Sequence, residues 1–156
     1  MRSLLSLAVL LASLLCARAA DTTIASVRPH WRDAESFDRI SEYFNGTENT
    51  GDHRILRTHS EVRAGYYFLV RLAPTAALAD ARFELQVIGP DSPTPKTFTF
   101  SAKPLSNQNI FELGLTGADW PGGAKTHPIA WRLAVLAADG HLLAEQRSFL
   151  WEMPAK

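Results

Sequence analysis

Cysteine occurs once in this chain, at Cys16. Beyond the first twenty residues no disulfide can staple the protein, and no thiol can act as nucleophile or metal ligand. An excess of charge is missing too, since 16 Lys+Arg stand against 16 Asp+Glu. That balance gives nucleic acid or an anionic membrane no obvious attraction. The one long apolar run, residues 4–15, is well short of the roughly 20 residues a spanning helix needs. There is no G-x-S-x-G elbow, no internal repeat and no Ser/Gly linker. Gly122-Gly123 follows no strand-to-helix pattern, so it does not read as a phosphate loop.

What is present begins with an address. Arg2 precedes the apolar run, and Ala17-Arg18-Ala19 offers the small-x-small pattern of a cleavage site. Residues 1–20 therefore read as a cleavable secretory signal, leaving Ala20 or Asp21 first. Leu15 before Cys16 is too bulky for a lipoprotein signal. The expected product is exported, periplasmic or secreted, with no stable membrane insertion after cleavage. Its 136 residues suit one domain over 21–156, large enough to stand on a hydrophobic core alone. Losing Arg2 and Arg18 leaves 14 basic against 16 acidic residues, slightly acidic overall.

The rest of the chain reads mainly as strands. Residues 22–28 suit an edge strand ending at Pro29. Residues 33–46 suit a short helix, with Asp33 as N-cap, Phe37, Ile40 and Phe44 at i, i+3 and i+7, and Asn45-Gly46 as the stop. Strand signals follow at 53–58, 66–72, 82–88, 97–100 and 110–115, with a turn at Gly89-Pro90-Asp91-Ser92-Pro93. Residues 117–128 form a Gly/Pro-rich loop carrying Trp120. A final hairpin pairs 129–137 with 142–151 around Asp139-Gly140. A three-residue turn over 138–140 would set Val135 opposite Leu143 and Ile129 opposite Phe149. A two-residue turn would set Arg132 against Arg147, so like-charge repulsion favours the first.

Seven or so short strands separated by turns predict an all-β, two-sheet antiparallel β-sandwich with a short N-terminal helix. Over residues 62–151 the pattern resembles immunoglobulin-like and fibronectin-III-like domains, without the Cys…Trp…Cys signature of true immunoglobulin domains. Such a fold hosts many unrelated functions and licenses no activity by itself.

Side chains that could carry chemistry are few. His53 and His59 would share one face of a continuous strand, yet six residues of strand span ~20 Å, too far for one metal ion. His30, His127 and His141 have no ligand spacing. Ser41, Ser60 and Ser106 lack a triad context, and Glu42, Glu48 and Glu61 are carboxylates of unfixed separation. From Arg28 to Arg82 every basic residue is arginine, eight in all, matched by eight acids, which reads as an ion-pair network. Arg57, Arg63 and Arg71 are the expected pins for the helix and its following loop. Phe83, Phe98, Phe100, Phe111 and Phe149 read as core.

Trp120, in Asp119-Trp120-Pro121-Gly122-Gly123, either plugs one end of the sandwich or presents a stacking platform, and the plug is favoured. Tyr66 and Tyr43 face the same choice. Tyr66-Tyr67-Phe68 cannot turn three rings to one face, so either both faces of that strand are covered or one ring is left for a partner. The leading expectation is a non-catalytic exported module, without metal or cofactor, that binds or assembles with a protein. Partner- or ligand-binding residues would be Trp120, Tyr66 and Tyr43. The alternatives are a carbohydrate-binding module using those aromatics and, less favoured, a hydrolase.

Overall fold

The computed structural model describes residues 22–38, 53–73, 80–103 and 109–151. Among these residues eight strands form: β1 (Ile24–Arg32), β2 (His53–Arg57), β3 (Gly65–Leu72), β4 (Ala81–Ile88), β5 (Lys96–Ala102), β6 (Ile110–Thr116), β7 (Ala130–Leu136) and β8 (Leu142–Arg147). They make two four-stranded sheets, one ordered β1-β3-β6-β2 and the other β5-β4-β7-β8. All pairings are antiparallel except β2 with β6, which is parallel. The β1 and β8 edges meet on one side of the sandwich, and β2 meets β5 on the other.

Strand alternation explains the core. Phe68 and Val70 of β3, Phe111 and Leu113 of β6, Phe83 and Leu85 of β4, and Leu133 and Val135 of β7 all point between the sheets and are fully buried. Ring pairs bridge the layers, Phe83 with Phe111 at 4.8 Å and Phe68 with Trp131 at 6.0 Å between centroids.

Four sequence expectations need correction. Strand β1 does not stop at Pro29 but runs on to Arg32, with Pro29 opposite Phe68. An edge strand tolerates a missing N–H on its outward side. The helix expected over 33–46 begins only as a single 3-10 turn, Glu35–Phe37, and Asp38 is already extended. The N-cap of that turn is Ala34 rather than the expected Asp33, whose Oδ1 nonetheless accepts from Ser36 N at 2.8 Å. Residues 39–46, with Tyr43, lie outside the described residues, as does the signal over 1–20.

The last hairpin makes its three-residue turn, with Ala137 N on His141 O and Gly140 N on Ala137 O, both 2.9 Å, and Gly140 at φ 88. Beyond it an irregularity between Val135 and Leu136 shifts the pairing, so Val135 faces Ala144 and Arg132 faces Arg147 after all. Glu145 removes the repulsion. Its carboxylate accepts from Arg132 Nε at 2.8 Å and from Arg147 Nε at 2.5 Å. Finally, Phe149 is 76 % exposed rather than core, because β8 ends at Arg147 and the chain leaves the sheet in a 3-10 turn.

Candidate functional site

The sandwich end where β3 and β7 begin and β4 and β6 finish gathers most of the distinctive side chains. Loop 117–128 closes it. Two 3-10 turns, Gly117–Asp119 and Gly123–Lys125, start at glycines with φ 58 and 63, which spare a side chain the left-handed strain. Trp120 N bonds to Gly117 O at 3.2 Å, and the Thr126 hydroxyl donates to Gly122 O at 2.6 Å. The loop so folded lays the Trp120 ring over Tyr66, with centroids 4.8 Å apart at 39°. Trp120 is 8 % exposed and Tyr66 4 %, and both belong to the core cluster. Burial raises the pKa of the Tyr66 hydroxyl, which hydrogen-bonds His127 Nδ1 at 3.2 Å. Beside them His59 Nε2 lies 3.3 Å from Asp119 Oδ2.

A cleft of about 70 Å³ opens between this loop and the 89–96 turn. Val87, Phe98, Leu115 and Trp120 supply its apolar wall. Trp120 Nε1 is buried without a hydrogen-bond partner. A buried donor left unpaired costs roughly 1–3 kcal/mol.

The outer face of the β1-β3-β6-β2 sheet carries a second cluster. Glu112 on β6 is 4 % exposed, and its carboxylate accepts from Arg32 Nη1 at 2.5 Å and His53 Nδ1 at 2.7 Å. Burial pushes its pKa up, but the hydrogen bonds from His53 and Arg32 and their charges outweigh that and hold it below the ordinary 4.5. Arg32 also donates to Ser36 Oγ and O at 3.1 and 2.8 Å, and its guanidinium lies 3.5 Å from the Phe37 ring centre. Phe37 covers Tyr67, whose hydroxyl accepts from Arg57 Nε at 2.8 Å and donates to Arg63 O at 2.5 Å. Arg63 reaches Asp38 at 2.8 Å.

Both faces of β3 are thus covered, which accounts for its three consecutive aromatics. Arg57 and Arg63 hold the 33–38 segment, the helix and following loop they were expected to pin lying mostly outside the described residues, whereas Arg71 is exposed near the far end of β3. The Tyr67 ring lies so close over Gly114 that a Cβ there would come within 2.4 Å of it. Gly114→Ala is expected to cost about 1–3 kcal/mol through overpacking, read as a lowered denaturation midpoint.

Of the predicted site residues, the structure brings Trp120 and Tyr66 together in the core and leaves Tyr43 outside the described residues. His53 and His59 fall on either side of the end of β2 and engage different carboxylates. Among the described residues, no group of three His, Cys, Asp or Glu side chains could hold a metal ion. None of their helices is long and apolar enough to cross a membrane.

Sequence reasoning missed an apolar patch at the same end of the sandwich. Ser148 N donates to Trp131 O and Trp131 N to Ser148 Oγ, both at 2.9 Å. This clasp sets Phe149 and Leu150 beside the start of β7, where Ile129 stands. Their exposures are 76, 53 and 49 %. The signal was the apolar Phe149-Leu150-Trp151 sequence after Ser148, which reads equally well as a buried strand end.

No family model, no curated protein and no solved structure matches this chain.

Proposed function

We propose that the protein is an exported, non-catalytic module of immunoglobulin-like or fibronectin-III-like type that binds another protein through the end bearing Ile129, Phe149 and Leu150. The strand order supports the finer fold reading. β1-β3-β6 against β5-β4-β7-β8 is the A-B-E against C′-C-F-G arrangement of such sandwiches. β2 departs from it, as an added strand parallel to β6.

The observation that carries the binding reading is the exposure of Ile129, Phe149 and Leu150 at 49–76 %, where the Ser148–Trp131 clasp holds the last turn beside the start of β7. A soluble surface gains nothing from them, whereas a partner that removes them from water does. Large apolar anchors of this kind dominate interface energies when a partner's pocket receives them. Trp120 and Tyr66 are buried and offer a sugar ring no open face to stack on, which weakens the carbohydrate alternative.

The double variant Phe149→Asp/Leu150→Asp tests this. Because both residues are exposed, its stability should stay within about 0.5 kcal/mol of wild type. A partner cross-linked to the wild-type protein in the envelope or medium of the producing cells should be lost. Equal retention by both forms, or no partner on the wild type, would overturn the proposal.

A further inference from the structure

We infer that the cleft beside Trp120 receives one small aliphatic side chain from an extended, basic segment of the partner. This rests on the protein-binding reading and names what the partner must present. Size makes the first selection. A dry apolar cavity of about 150 Å³ holds a benzene ring, so a cleft of about 70 Å³ fits a group of three or four carbons better than an aromatic or a pyranose ring. Val87, Phe98, Leu115 and Trp120 make that space apolar, which suits a valine-sized branched group.

The mouth makes the second selection. Ser92, Thr94 and Thr126 place hydroxyls around it, neutral groups suited to the amides of a peptide. Asp91 and Asp119, the latter in contact with His59, stand there against Lys96, so the rim carries at most one net negative charge and favours a cation beside the aliphatic residue. The cleft also lies at the same end as the Phe149–Leu150 patch, so one partner can engage both.

The probe is the capped dipeptide N-acetyl-Lys-Val-N-methylamide, titrated into ¹⁵N-labelled protein. The readout is the indole N–H resonance of Trp120, assigned by its loss in Trp120→Phe. A saturable shift is expected with Kd on the order of 1 mM. Replacing valine by glycine in the probe should weaken it about tenfold, as loss of a small apolar group from a pocket does. Replacing lysine by glutamate should weaken it further.

Thr94 is exposed, so Thr94→Trp should block the mouth without lowering the melting temperature, and should abolish the shift. No saturable shift at Trp120, equal binding of the valine and glycine probes, or an unaffected Thr94→Trp would each overturn the inference. Equal binding of the lysine and glutamate probes would overturn its basic-partner half. Phe149→Asp/Leu150→Asp should leave probe binding unchanged, so failure of the patch and failure of the cleft can be told apart.

Discussion

Trp120→Ala is expected to lower stability by about 3 kcal/mol, at the low end of the 3–5 kcal/mol usual for truncating a large buried ring. For a domain of this size the melting temperature should fall by roughly 10 °C. The indole is 8 % exposed and stacked on Tyr66 over the end of the core. Removing it opens a cavity that two neighbouring loops cannot collapse without breaking the Gly117 and Gly122 contacts. The low end applies because the substitution also removes an unpaired N–H, whose burial opposes folding. Trp120→Phe, which keeps most of the ring and drops that donor, should cost much less. A melting temperature unchanged in Trp120→Ala would show that the indole does not hold this end closed.

Arg32→Met should be comparably damaging, at about 3 kcal/mol. Breaking a buried pair by removing one partner typically costs 3–5 kcal/mol, because the remaining charge is left uncompensated. Here His53 still donates to Glu112, which keeps the loss near the lower figure. Arg32 also ties Ser36 and covers Phe37, so its removal frees the segment that shields Tyr67. Glu112→Gln, which keeps the shape but not the charge, should be milder.

The same carboxylate sets an acid limit. Its folded pKa lies below the ordinary 4.5, so the stability it contributes is present above that value and is lost as pH falls through the lowered one. Glu145, held down by hydrogen bonds from Arg132 and Arg147, adds a weaker contribution of the same sign. Denaturation midpoints measured downward from neutral pH should drop once the pH passes below 4.5, less steeply in Glu112→Gln. A flat profile there would contradict the buried ion cluster.

Local pattern told most of the fold. The alternation in 82–88 and the continuous run in 66–72 became the central strands β4 and β3, and Gly140 set the last turn. What it could not tell depends on neighbours distant in sequence. Arg132 opposite Arg147 looked forbidden because the reading took pairs two at a time, while Glu145, one strand pleat away from Arg147, neutralises both. Phe149 looked like core because a phenylalanine after a strand usually continues it, and only the shifted register shows the strand ending first.

The candidate site was half legible. Trp120 stood out through its loop, but its cleft needs the 89–96 turn opposite, and Glu112 is an ordinary strand carboxylate until Arg32 and His53 arrive from two other strands.

The parallel pairing of β2 with β6 bears on how the chain assembles as it emerges. His53 finds Glu112, 59 residues later in the chain, so β2 is made long before β6, its one partner strand among the described residues. Until then β3 and β1, which pair antiparallel, can zip together without it. A waiting strand with two open edges invites mispairing with another chain. The sequence of β2, His-Arg-Ile-Leu-Arg, answers that hazard: two arginines in five residues make identical copies repel one another, while His53 is left to find Glu112 when β6 arrives.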